Sequence, residues 1–295
     1  MIINATDVGE LVVSLPSRQS EGRVSRVFRN SAYIEAGDEL LLLLHGELRS
    51  PINVNLNPSE NLEELLAVED SCSLVDGGIV FGELTVKTKG AKVYRSGLGA
   101  SWSGSPVAGS VLVKGIEMLR LLYGAAKSDL DIFSEGAFRQ FAEDVISPLA
   151  GGHPDEAHAL RYYLPLIGAG GGFTPAGDDF VGGFTAALNH VARTTGEAEI
   201  LFSRSALTGR TVPESAALIH YAQRGYVDEE LERLIVSTFG GRRERFFQDL
   251  LQVAKRGHTS GIDMSTGVLL AAAATRDRAA KEGALERCLR AVQTH

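Results

Sequence analysis

The sequence predicts an α+β protein, with a small β-rich domain, sheet or barrel-like, over residues 1–105 and a mostly α-helical domain over residues 106–295. Two observations carry this. The first hundred residues hold short Val, Ile, Leu, Phe and Tyr runs separated by Gly, Asp, Asn and Pro, whereas from about Val111 apolar residues recur every three or four positions. A third concerns local geometry: 33 of the 295 residues are glycine, about 11% against the ~7% of average usage, an excess that asks for a reason.

Taken in order, strands are expected at Arg26–Ile34, Glu39–Leu44, Ile52–Leu56, Ile79–Thr88 and Ala91–Tyr94. In the fourth, Leu84, Val86 and Thr88 alternate with Thr85 and Lys87, the period of a half-buried strand. Ser96–Ser110, rich in glycine and serine, reads as a connector or an ordered loop, and its Trp102 either fills a seam or stacks on a ligand. Helical spacing then links Phe138, Phe141, Val145, Ile146 and Leu149; Leu231, Leu234, Ile235 and Phe239; and Phe246, Phe247, Leu250, Leu251 and Ala254. Gly225 and Gly257 stop the helices over Pro213–Arg224 and Arg242–Arg256.

Composition excludes several classes. The net charge of −8 disfavours nucleic acid as a partner. Cys72 and Cys288 lack metal-ligand spacing, which fits a reducing compartment. Met1–Pro16 has no basic n-region, and the longest apolar runs, Leu40–Leu44 and Val268–Ala274, are too short to span a bilayer. A cytoplasmic protein without a membrane partner is expected.

The chemistry concentrates in Ile167–Gly183. Gly168, Gly170, Gly171 and Gly172 free the backbone for close approach to a ligand, and Thr174 before Pro175 has the form of an N-cap, with Gly177 or Asp178 as alternative helix openings. A glycine loop running into a helix N-terminus favours an anion. Asp178 and Asp179 oppose one unless Mg²⁺ lies between or one of them caps the helix, and no Walker lysine follows. Gly182 and Gly183, inside the helix, point to a tightly packed neighbour. Gly257-His258-Thr259-Ser260-Gly261-Ile262-Asp263 echoes this segment ahead of the apolar helix Met264–Thr275. In both, an Asp stands four residues before a glycine, Asp179 with Gly183 and Asp263 with Gly267, so the two helix starts are expected to face each other and form one polar site.

Alternatives stand beside each role. His258 is a general acid or anion donor, or it bonds a carbonyl at the preceding helix end; Thr211 and Ser215 donate to an anion, or cap. His153 and His158, five apart, do not share a helix face and read as an exposed helix start, and Arg242, Arg243 and Arg245 read as a solvated face.

The run G-x-G-x-G-F-T-P-A-G-D-D at Gly168–Asp179, with Thr211-x-x-x-Ser215, Ala222-x-x-Gly225 and Gly257-His-Thr-Ser-Gly-x-Asp263, resembles the AllH-like family. That family includes the third component of oxamate carbamoyltransferase, an enzyme of anaerobic allantoin breakdown in purine catabolism. The resemblance covers roughly residues 165–275, and Gly78–Lys87 is similar to the family's N-terminal strand segment. It implies a transferase subunit that works with two other subunits on a small anionic substrate. Oxalurate (N-carbamoyl-2-oxoglycine) and phosphate would give oxamate and carbamoyl phosphate, and a related small acid is an equal alternative. It carries Gly170, Gly172, Thr174, Gly177, Asp178, Asp179, His258, Thr259, Ser260, Gly261 and Asp263 as site residues. In this chemistry the Gly170–Gly172 N–H groups stabilise an oxyanion, Asp178 or Asp179 moves a proton or holds Mg²⁺, and His258 protonates the leaving nitrogen. No cofactor is established, and Mg²⁺ remains the one candidate. Two other readings stand: a non-catalytic scaffold subunit, and a Mg²⁺-dependent phosphotransferase or hydrolase using Asp178, Asp179 and Asp263.

Overall fold

The computed structural model describes residues 1–17, 20–57, 61–98, 104–125, 140–142 and 163–293. The chain divides into two compact units, one of Met1–Ser96 with Tyr226–Glu229, the other of Gly97–Gly225 with Glu230–His295.

The first unit is a closed β-barrel. Its strands are β1 (Ile2–Gly9), β2 (Glu21–Phe28), β3 (Ser31–Ala36), β4 (Glu39–His45), β5 (Asn53–Leu56), β6 (Ser71–Val75), β7 (Gly78–Phe81) and β8 (Leu84–Lys87), with β9 (Lys92–Tyr94) beside them. They pair in the order β5-β4-β3-β2-β6-β7-β8-β1, and β1 pairs back onto β5 to close eight strands, leaving β9 as an extra strand on β1. Hairpins join β2–β3, β3–β4, β6–β7 and β7–β8, whereas β4–β5, β1–β8 and β1–β9 run parallel. The interior is filled by Val24, Ala32, Ile34, Leu43, Val54, Leu74, Ile79 and Val86, so the barrel encloses a packed core. Two short helices, α1 (Glu10–Ser14) and α2 (Leu62–Leu65), complete the unit. The segment 226–229 belongs here through Tyr94 Oη, which donates to Val227 O at 3.1 Å, and through the Arg49–Glu229 ion pair.

The α+β expectation holds, with corrections in detail. Arg26–Ile34 is not one strand but parts of β2 and β3 around Arg29-Asn30, and Ile79–Thr88 is the hairpin β7–β8 around Gly82-Glu83. The N-terminal segment and Ser71–Val75 are strands that the composition did not announce.

The second unit is helical: α3 (Gly109–Ala125), α4 (Ala176–Thr195), α5 (Arg204–Leu207), α6 (Pro213–Ala222), α7 (Glu229–Phe239), α8 (Arg243–Ala254), α9 (Ser260–Ala280) and α10 (Ala284–Gln293). The middle pair, α4 and α9, is buried along most of its length and forms the core of the unit. At their crossing, a Cβ on Gly183 would overlap the Met264 carbonyl oxygen, and one on Gly267 would overlap that of Phe180. Each glycine thus receives the carbonyl three residues before the other, and backbones meet where side chains would hold them apart. Phe141 and Tyr163 pack on Phe184 of α4, Phe141 also on Phe180, and Tyr163 on Phe202, with Phe141 and Phe184 edge to face at 5.5 Å.

A buried amide braces the far end of α4. Asn189 Nδ2 donates to the carbonyls of Ile200 and Gln223 at 2.7 Å each, and its Oδ1 accepts from Ile200 N at 2.8 Å. Gln223 in turn pairs with both backbone groups of Phe202. Trp102, the His153–His158 segment, and Phe138, Val145, Ile146 and Leu149 lie outside the described residues. No helix among the described residues is long and apolar enough to cross a membrane.

Candidate functional site

The loop before α4 needs its glycines at defined points. Gly168, Gly170 and Gly172 have φ of 80°, 91° and 102°, a backbone region that residues with a Cβ rarely adopt. Gly168 also lies against the Arg210 carbonyl, and this closeness brings the loop onto the segment that opens α6. Gly171 and Gly172 are exposed and Gly170 is half-buried, so the loop forms a rim open to solvent.

Beneath this rim lie two buried carboxyl groups. Asp178 is 3% exposed and Asp179 is 5% exposed, both in the first turn of α4. Asp178 accepts a hydrogen bond from Gly168 N at 2.8 Å through one oxygen and a short one from the Thr211 hydroxyl through the other, with the buried Ser215 hydroxyl close by. Asp179 accepts from Thr174 Oγ1 at 3.1 Å and from Ser260. Thr174 and Ser260 also contact each other at 3.1 Å, which joins the start of α4 to the start of α9.

Burial sets the proton affinity of both groups. Desolvation pushes the Asp179 carboxyl up to about 7; the Ser260 and Thr174 hydrogen bonds oppose this, the nearby Asp178 adds to it, and Arg256 pulls weakly the other way. Asp178 is likewise held above its ordinary range by burial, against the stabilising bonds from Thr211, Gly168 and Ser215. At neutral pH Asp179 exchanges a proton readily, and in its protonated form it does not repel an anion. The objection that two carboxylates raise against phosphate therefore weakens.

The structure thus brings Thr174, Asp178, Asp179, Thr211, Ser215 and Ser260 together, and the two helix starts face each other. Asp263 is fully buried in the first turn of α9. The ring of His258 is exposed and makes no hydrogen bond among the described residues. Thr259 occupies the N-cap position of α9, where its carbonyl accepts from Ile262 and Asp263 and its side chain does not cap.

Several details differ from the sequence reading. Thr174 does not cap α4; Pro175 stands at the N-cap, and the threonine hydroxyl is spent on Asp179 and Ser260. Neither aspartate caps, since Asp178 bonds back to Gly168 and across to Thr211. Gly177 and Gly261 are closed off from a ligand on their Cβ side, where the carbonyls of Leu166 and Val253 sit. Gly183 has the close neighbour expected of it; for Gly182, which is buried, no described residue outside its own helix comes within 4 Å of a Cβ. Among the described residues no three His, Cys, Asp or Glu side chains form a group that could hold a metal ion, so Asp178, Asp179 and Asp263 are not one ligand set. Sequence reasoning missed Gly168 N as a donor to Asp178 and Arg256 as the cation nearest in effect to Asp179; the only signal was their place beside the two motifs.

No curated protein and no solved structure shows a significant match to the chain. Residues 166–272 match the model of the family described as oxamate carbamoyltransferase subunit AllH, a stretch that holds both helix starts and the carboxyl pair between them. Over that stretch, about a third of its length, the chain is similar to the AllH family.

Proposed function

We propose that this chain is the subunit of a carbamoyltransferase that carries a carbamoyl-transfer site, acting on a small N-carbamoyl acid of the oxalurate type and phosphate. The observation that supports this most directly is the buried Asp178–Asp179 pair, with a carboxyl held near neutrality, beneath a glycine loop inside the family-matched segment. A phosphate oxygen forms a bond to the carbamoyl carbon and the bond from that carbon to the acid's nitrogen breaks. The electron pair stays on the nitrogen, which needs a proton, while the attacking phosphate gives one up. Asp179, able to hold a proton at neutral pH, serves as the donor, and Asp178 keeps the pair in register with Thr211 and Gly168. N–H groups of Gly170–Gly172 stabilise the developing oxyanion. His258, exposed before α9, is the alternative donor.

The test is a thermal-shift panel on the purified chain with phosphate, carbamoyl phosphate, oxamate, oxalurate and ATP, each with and without Mg²⁺. A ligand at ~100 times its dissociation constant adds ~2.7 kcal/mol of stability. Stabilisation by carbamoyl phosphate or oxalurate without a metal requirement, lost in Asp179→Ala, is the expected result. Stabilisation by ATP with Mg²⁺ alone would instead support a phosphotransferase. Silence toward every ligand, by the chain alone and with its partner subunits, would leave a scaffold role.

A further inference from the structure

On the barrel unit three exposed valines gather around one groove. Val13 of α1, Val75 at the end of β6 and Val93 of β9 are 53%, 43% and 39% exposed, three of the eight large apolar side chains that stand in solvent among the described residues. They line a pocket of about 200 Å³ that also reaches Val8, Leu74 and Ile79, all buried. Single exposed valines are ordinary, but three around one open pocket mark a contact surface. The backbone beside the groove is open as well. β8 and β9 follow one course along β1, with Thr85–Lys87 opposite Ile2–Asn4 and Lys92–Tyr94 opposite Asp7–Gly9. β7 flanks β8 only as far as the Asp76-Gly77 turn, where the Gly77 carbonyl accepts from Thr88 N at 2.9 Å and from Lys89 N at 3.1 Å. Beyond that turn β9 pairs with β1 alone among the described residues, and its other edge is free to take an added strand.

Charge selects what that strand is. The run Leu84–Arg95 holds Lys87, Lys89, Lys92 and Arg95 and no acidic residue, in a chain of net charge −8. Lys89 lines the pocket, Lys92 is exposed on β9, and neither forms an ion pair among the described residues. Asp76 is the one carboxylate on the pocket wall. A two-fold contact about this edge would set the cationic run against its own copy, so charge opposes a second chain of the same kind and favours an acidic partner. We propose that the groove binds an extended segment of another protein in which acidic and apolar residues alternate. The segment pairs as a strand with the free edge of β9, its apolar side chains enter between Val13, Val75 and Val93, and its carboxylates meet Lys89 and Lys92. This holds whatever reaction the helical unit performs.

The experiment titrates the full-length chain into three labelled, end-capped octapeptides and reads fluorescence anisotropy at low ionic strength. One peptide alternates glutamate with valine, one lysine with valine, and one glutamate with serine. The glutamate–valine peptide is expected to bind about tenfold or more tightly than either control and to weaken with added salt. Lys89→Glu combined with Lys92→Glu, and separately Val13→Ser combined with Val75→Ser, are each expected to weaken it about tenfold. All four positions are exposed, so both double variants are expected to keep the melting temperature of wild type. Absence of binding, equal binding of the three peptides, or binding that neither double variant changes would overturn the proposal. A dimer seen by sedimentation and lost in the double variants would assign the groove to a second copy and overturn it as well.

Discussion

At Asp179, burial and hydrogen bonding pull in opposite directions, and burial prevails. Its carboxyl is held near 7 in the folded chain and returns to the ordinary range near 4 when the chain unfolds, so between these values the folded state carries a proton that the unfolded state has lost. Raising the pH through that window therefore weakens folding, and ionised Asp179 is a burden above it. Replacing Asp179 with Asn is expected to raise stability at pH 8, by up to about 4 kcal/mol, with the gain fading toward pH 4. Denaturant midpoints at the two pH values measure this. The same substitution is expected to lower the turnover of the reconstituted transferase by about 10²-fold or more, because the amide has no proton to exchange. Thr174 and Ser260 show what local rules miss. Thr174 looks like a helix cap in sequence, yet its hydroxyl, like that of Ser260, serves the Asp179 carboxyl, since satisfying a buried carboxyl outweighs satisfying one helix N–H.

Local turn chemistry was present but not all of it was read. Asp76-Gly77 and Gly82-Glu83 are two-residue turns of the kind hairpins favour, with Gly77 and Gly82 at positive φ, yet Ile79–Thr88 reads through the second as one strand and the strand before the first goes unannounced. Arg29-Asn30 turns β2 into β3 without a glycine or proline, so the sequence reads as one strand. Ile2–Gly9 includes Asn4, Ala5 and Asp7, poor strand formers, and becomes a strand through pairings with β5, β8 and β9 that only the closed barrel supplies. The contact of α4 with α9 was legible because the spacing of Asp and Gly repeats in both. That contact is tightly constrained: Gly183→Ala places a methyl on the Met264 carbonyl and is expected to destabilise by about 1–3 kcal/mol. Asn189→Ala takes the side-chain partner from both backbone groups of Ile200, while the Gln223 carbonyl keeps its bond from Arg193, and is expected to cost about 2 kcal/mol or more, read as a lower denaturant midpoint.

For the whole molecule, two buried groups on one helix oppose each other as the pH changes. His190, on α4, is kept neutral by burial, with Arg193 adding to the effect, so its imidazole falls from 6.5 to about 4. The unfolded chain binds that proton more readily, so His190 favours folding above pH 6.5 and loses this contribution as the pH falls toward 4. Asp179 does the opposite across much the same window. Removing either group should unmask the other: His190→Gln is expected to make stability fall more steeply with rising pH between 4 and 6.5, and Asp179→Asn to make it rise. Urea denaturation at pH 4.5, 5.5 and 6.5 separates the slopes.

The measurement that bears most directly on the proposed chemistry is a ¹³C NMR titration of the Asp179 side-chain carboxyl, with and without carbamoyl phosphate. A midpoint near 7 that moves when the ligand is added is the expected result, since a proton-exchanging group at the site must sense the substrate. A midpoint near 4, unmoved by the ligand, would contradict the assignment of this carboxyl to carbamoyl transfer.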